Sequence, residues 1–89
     1  MWEVECDKQV IVYRNLSDTA IRVHVGVDDH CGGNARVTVL DDRNDILRDT
    51  VLSPPGGVVT YMVNPTQQVQ VGCFGGTHPQ GRCKVSVSF

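Results

Sequence analysis

Apolar and polar residues alternate along nearly the whole of this chain, and no other feature constrains its fold as strongly. Ile21, Val23, Val25 and Val27 fall on one side of an extended segment, with Arg22, His24 and Gly26 on the other. A period of two belongs to a strand with one buried face. The same rhythm runs through Trp2-Glu3-Val4-Glu5-Cys6, through Val69, Val71 and Cys73, and through Cys83, Val85, Val87 and Phe89. Val10 to Tyr13 is a continuous apolar run, which predicts a buried strand. No segment sustains a 3.6-residue period.

Breaker clusters stand between these segments: Asn15 to Asp18, Asp28 to Asn34, Asp41 to Asp45, Ser53 to Gly57 and Asn64 to Thr66. The strands they delimit are Trp2–Cys6, Val10–Tyr13, Ala20–Val27, Arg36–Leu40, Ile46–Leu52, Val58–Val63, Gln68–Cys73 and Cys83–Phe89. Asp41 to Asp45 fits a tight hairpin, with Asn44 suited to a left-handed backbone. About eight short strands at regular spacing predict an all-β, antiparallel β-sandwich in a single domain, 1–89, with a small Greek-key barrel as the alternative.

An 89-residue domain buries only roughly 60–65% of its unfolded surface, so cross-links matter. The chain has four cysteines, an even number that reads as a disulfide framework. Sequence alone leaves their pairing open. The strands flanking Cys73 and Cys83 read as a hairpin, which favours a Cys73–Cys83 bond at its base and leaves Cys6 to pair with Cys31. The spacing lacks Cys-x-x-Cys or a close Cys/His pair, so it argues against structural zinc. Neither a metal nor a cofactor is expected. The disulfides place the protein in an oxidising compartment: secreted, extracellular, periplasmic or at a cell surface. The opening residues Met1 to Glu5 lack the basic start and apolar core of a secretory leader, so this reading expects a mature chain. No apolar stretch approaches membrane-spanning length.

Net charge is −2. All ten acidic residues precede Thr50, while Arg82 and Lys84 lie beyond it, which makes the C-terminal region locally basic. That positive charge is too small to argue for nucleic acid.

The turn-then-strand order of Arg14-Asn15-Leu16-Ser17-Asp18 and of Leu52-Ser53-Pro54-Pro55-Gly56-Gly57 resembles that of secreted immunoglobulin-like domains. Many sandwiches share this order, so it implies an architecture and no particular family.

The segment between Cys73 and Cys83 is the best candidate site. Phe74, Gly75, Gly76, Thr77, His78, Pro79, Gln80 and Arg82 form a tip longer than a hairpin needs, and long loops on rigid scaffolds often carry binding. Phe74 is its expected apolar anchor, His78 its hydrogen-bonding group and Arg82 its charged contact. The plain alternative is a tolerated insertion with glycines supplying turn geometry. The turn Asp28 to Asn34 ranks next. Within it, Asp28, Asp29 and His30 have metal-ligand chemistry, but adjacent aspartates are also ordinary turn residues. Catalysis has little support: no serine lies in a Gly-x-Ser-x-Gly elbow, and oxidised cysteines are not nucleophiles. Asn15-Leu16-Ser17 matches the N-glycosylation acceptor pattern on an expected surface turn. Trp2 is expected to plug the core.

The function expected is that of a secreted or cell-surface, non-enzymatic binding module for a protein or glycan. Its sharpest form is an inhibitor of a secreted hydrolase. The alternatives are an assembly domain pairing through Lys84–Phe89 as an edge strand and a small metal-binding protein.

Overall fold

The computed structural model describes residues 2–53, 55–77 and 81–89. Eight strands form in chain order: β1 (Trp2–Glu5), β2 (Gln9–Arg14), β3 (Ile21–Asp29), β4 (Asn34–Leu40), β5 (Ile46–Leu52), β6 (Gly56–Val63), β7 (Gln68–Phe74) and β8 (Arg82–Ser88). They make two four-stranded antiparallel sheets, β1-β8-β3-β6 and β2-β7-β4-β5. No helix among the described residues is long and apolar enough to cross a membrane.

The pairing has a simple logic. β1 pairs with β8, β2 with β7, β3 with β6 and β4 with β5. This is one long hairpin, bent at β4–β5 and rolled into two layers, which is a jelly-roll order. It differs from the immunoglobulin order, in which several consecutive strands share a sheet. Here only β4 and β5 are consecutive neighbours within a sheet. The turn-strand grammar of the sequence is common to both.

The rolled topology also corrects the reading of Cys73 and Cys83. Their strands are not a hairpin: β7 lies in one sheet and β8 in the other. The Cys73–Cys83 bond forms as expected, as does Cys6–Cys31, but it ties the two sheets together. The period-two pattern marks a strand and its buried face; it does not say which sheet the strand joins. β8 is likewise interior, flanked by β1 and β3, so Lys84–Phe89 is not the free edge it was expected to be.

The core is made mostly of valine. Val23, Val25, Val37, Val39, Val63, Val69, Val71 and Val85 are fully buried. β-branched side chains suit the pleated surface and lose little rotamer freedom there. Tyr61 is the largest core side chain, and its hydroxyl is hydrogen-bonded to the Thr50 hydroxyl. Two expected core elements sit elsewhere. Trp2 is 39% exposed, because β1 is the outer strand of its sheet and Trp2 its first residue. Val10 and Ile11 are also exposed; of that run Val12 enters the core and Tyr13 packs half-buried against it. A register shift between Ile11 and Tyr13 marks a bulge in the β2–β7 ladder.

The two ends of the sandwich are held by different chemistry. At one end lie both disulfides. At the other, Asn15 is fully buried. Its Nδ2 donates to Thr19 O at 2.9 Å and Val63 O at 2.8 Å, and its Oδ1 accepts from Ser17 N at 2.9 Å and Ser17 Oγ at 2.6 Å. Its backbone joins the turn before β7, through Asn15 N to Gln67 O and Thr66 N to Asn15 O. The turn itself is exposed as expected, at Leu16, Ser17 and Asp18, but its Asn15 side chain is internal and joins three chain segments. The Asp41–Asp45 hairpin forms as expected at this end. Asn44 has φ 64°, and Asp41 Oδ1 accepts from Arg43 N and Asp45 N.

Candidate functional site

The outer face of the β2-β7-β4-β5 sheet carries a grid of polar side chains. Register sets the grid. Gly72 of β7 lies between Gln9 of β2 and Arg36 of β4. One step along, Gln70 lies between Ile11 and Thr38, and Thr38 opposes Asp49 of β5. Gln9, Arg36, Thr38, Gln70 and Gly72 line a hollow of about 400 Å3, with Leu40 and Ile46 toward one end and Phe74 toward the other.

The polar groups around the hollow hold one another in place. Arg36 grips Asp49 in a two-pronged pair, Nε to Oδ1 at 2.8 Å and Nη2 to Oδ2 at 2.6 Å. This geometry is specific as well as attractive. The hydrogen bond from Arg36 holds the Asp49 carboxyl below its usual range, and the same bond raises Arg36. The Gln9 and Gln70 side-chain amides are hydrogen-bonded to each other. Gly72 lets this happen. A Cβ there would sit 2.9 Å from Gln9 Cγ, so any larger residue would push the Gln9 side chain aside.

The loop after β7 begins at the rim of this hollow. Phe74 is 38% exposed and lines it. Gly75, with φ 69°, Gly76 and Thr77 are exposed. The glycines have a second role. A Cβ on Gly76 would lie 2.4 Å from Cys31 O, and one on Gly33 would lie 2.1 Å from Phe74 O. The start of the loop is thus pressed, backbone to backbone, against the β3–β4 turn. Arg82 belongs to the other sheet, where Nη1 meets Glu5 Oε1 at 3.1 Å. His78, Pro79 and Gln80 lie outside the described residues.

Asp28, Asp29 and His30 do not converge. Asp28 and His30 form an exposed pair at 3.3 Å, whereas Asp29 turns inward as β3 alternates. Beneath the loop the two disulfides stack, with Cys31 Sγ 3.8 Å from Cys83 Sγ.

Sequence reading singled out Phe74 and the loop, which the structure sets at the rim of the hollow, and did not single out Gln9, Arg36, Thr38, Asp49 or Gln70. As outward strand positions these resemble any solvated face, and only the sheet order brings them together. One signal was present: Gly72 stands at an outward position of an alternating strand where a side chain is expected, which marks a close approach.

Fold and site together define a disulfide-linked β-sandwich with a polar hollow on one sheet and a cross-linked loop at its rim. Compared with known protein families, curated proteins and solved structures, the chain matches none of them.

Proposed function

We propose that the protein is a non-enzymatic binding module, secreted or at a cell surface, that holds a protein or glycan across the hollow sheet face and the adjoining 74–82 loop. The observation that carries this reading is the hollow itself: pre-positioned hydrogen-bonding groups beside an exposed aromatic ring. Such sites combine an apolar contact with a few fixed polar groups that set orientation. Two disulfides are compatible with an oxidising extracellular setting. The anchored loop favours binding by reducing the entropy lost when it meets a partner, and inhibition of a secreted hydrolase is its narrowest form.

Two variants test the reading once a ligand has been selected from a glycan panel and an extracellular protein extract. One replaces Phe74, His78 and Arg82 together by Ala, and the other replaces Gln9 and Gln70 by Ala. Each is expected to weaken binding more than tenfold, about 1.4 kcal/mol. Surface changes of this kind usually cost roughly 0.5 kcal/mol or less each, so melting temperatures should move by only a few degrees. Normal binding by both variants rules the face out.

A second reading, assembly with another copy of this chain, is supported by a different observation. Two sheet edges are protected: β1 is short and carries Glu3 and Glu5, and β2 is bulged. The edges β5 and β6 expose Ile46, Leu47, Val51, Val58 and Met62. Two β5 strands paired antiparallel about Asp49 would set Leu47 opposite Val51 and Ile46 opposite Leu52, and would bring the two Asp49 carboxylates together, each held by the Arg36 of its own chain. We infer a dimer through β5, visible as a concentration-dependent mass by light scattering and abolished by Val51→Lys. A monomer mass at every concentration rejects it.

A further inference from the structure

We propose that the hollow on the β2-β7-β4-β5 sheet takes a neutral oligosaccharide, with one sugar ring against Phe74 and the next over the paired Gln9 and Gln70 amides. The inference rests on reading the hollow as a binding face, and it names the class of ligand held there. β7 lays out the site. Phe74, Gly72 and Gln70 are successive outward positions of that strand, because Cys73 and Val71 between them are buried. At about 3.3 Å per residue the row runs roughly 13 Å, and its middle position carries no side chain. Gln9 fills that position from the neighbouring strand and reaches Gln70 across the floor of the hollow.

The hydrogen-bonding groups left over suit hydroxyls. Gln70 Nε2 donates to Gln9 Oε1, which leaves Gln9 Nε2 as a donor beside Gln70 Oε1 as an acceptor. A sugar hydroxyl both donates and accepts, so a donor and an acceptor side by side match one hydroxyl or two neighbouring ones. Arg36 has five N–H groups. Asp49 takes one on Nε and one on Nη2, so three remain for a ligand. These side chains are already held by their partners, which lowers the entropy lost on binding. Phe74, exposed at the rim, supplies the complementary surface: the C–H face of a sugar ring is apolar and lies well against an aromatic ring.

Charge and shape weigh against the competing ligands. Among the described residues at the hollow, Asp7 offsets Lys8 and Asp49 offsets Arg36. No net field is left to draw a phosphate, sulfate or carboxylate. A protein partner fits less well. The middle of a stable protein interface is apolar, whereas here polar groups hold the middle, with Leu40, Ile46 and Phe74 at the ends. A volume of about 400 Å3 falls among small-ligand clefts, which run from roughly 300 to 1,000 Å3. Proteins instead bury a broad patch of about 800 Å2 on each partner.

The test is to titrate isotope-labelled protein with neutral gluco-, manno- and galacto-oligosaccharides, and in parallel with a sulfated and a uronic-acid oligosaccharide, following amide and side-chain signals by NMR. At least one neutral series is expected to give saturable shifts at Gln9, Arg36, Gln70 and Phe74. Phe74→Ala should weaken that binding at least tenfold. Gly72→Ala keeps every polar group but displaces the Gln9 side chain, and it should weaken binding as much while signals from the opposite sheet stay in place. Tighter binding of the acidic sugars overturns the neutral class. Saturable shifts confined to the other sheet overturn the location. If no sugar binds, but a protein from the extracellular extract does and loses affinity in Phe74→Ala, the glycan inference fails and the binding face stands. If neither a sugar nor a protein meets this face, both fail.

Discussion

Replacing Cys73 and Cys83 together by Ala is expected to lower the melting temperature by about 10 °C or more, with Cys6–Cys31 intact. Loss of a native disulfide from a small domain typically costs about 2–5 kcal/mol, and each kcal/mol moves a domain of this size by roughly 4–8 °C. The structure gives reasons to expect the full effect. The bond joins strands in opposite sheets that share no ladder, and the core between those sheets is built from medium-sized valines. Circular dichroism on the double variant measures it. A shift under about 3 °C would mean that packing alone holds the sheets together at this end.

Asn15→Ala is expected to cost about 2–5 kcal/mol, a loss comparable to that of the disulfide. The substitution removes four side-chain hydrogen bonds and strands Val63 O in the interior. Each buried polar group left unpaired costs about 1–3 kcal/mol. Ser17→Ala removes only the hydroxyl contacts of the same turn and should cost about 1 kcal/mol. Chemical denaturation of the two variants compares them directly, and equal losses would deny Asn15 its central place. Both hydrogens of Nδ2 are engaged, so a glycan there is incompatible with this fold. Folded protein from a eukaryotic secretory host should therefore carry an unmodified Asn15 by mass spectrometry, although Asn15-Leu16-Ser17 matches the acceptor pattern.

Strand positions were legible in the sequence to within a residue or two. Ile46–Leu52 agrees at both ends, and Ile21, Val23, Val25 and Val27 point inward as their alternation implies. Alternation is a local property, set by the pleat, and it survives whatever tertiary arrangement follows. What it lacks is partnership. Nothing in Val69, Val71, Cys73 or in Cys83, Val85, Val87 says that the two runs enter different sheets. The same gap hid the candidate site. Gln70 and Thr38 are far apart in sequence and adjacent in register, and only the pairing of β4 with β7 makes neighbours of them. Asn15 was misread for another reason. Turn residues are polar whether their side chains face water or the interior, and burial became visible only with Thr19, Ser17 and Val63 around it.

The rolled hairpin has a kinetic consequence. Of the pairs that define it, only β4–β5 brings together residues close in sequence; β3–β6, β2–β7 and β1–β8 each close a longer loop than the one before. Closure entropy rises with loop length and is spent before the contacts repay it. A chain of this design searches slowly, with its first strand waiting for its last. Cys73 and Cys83, only 10 residues apart, offer a shortcut. Once joined, they commit β7 and β8 to facing layers while most of the chain is still unpaired, so one short covalent loop supplies early what the topology otherwise supplies last.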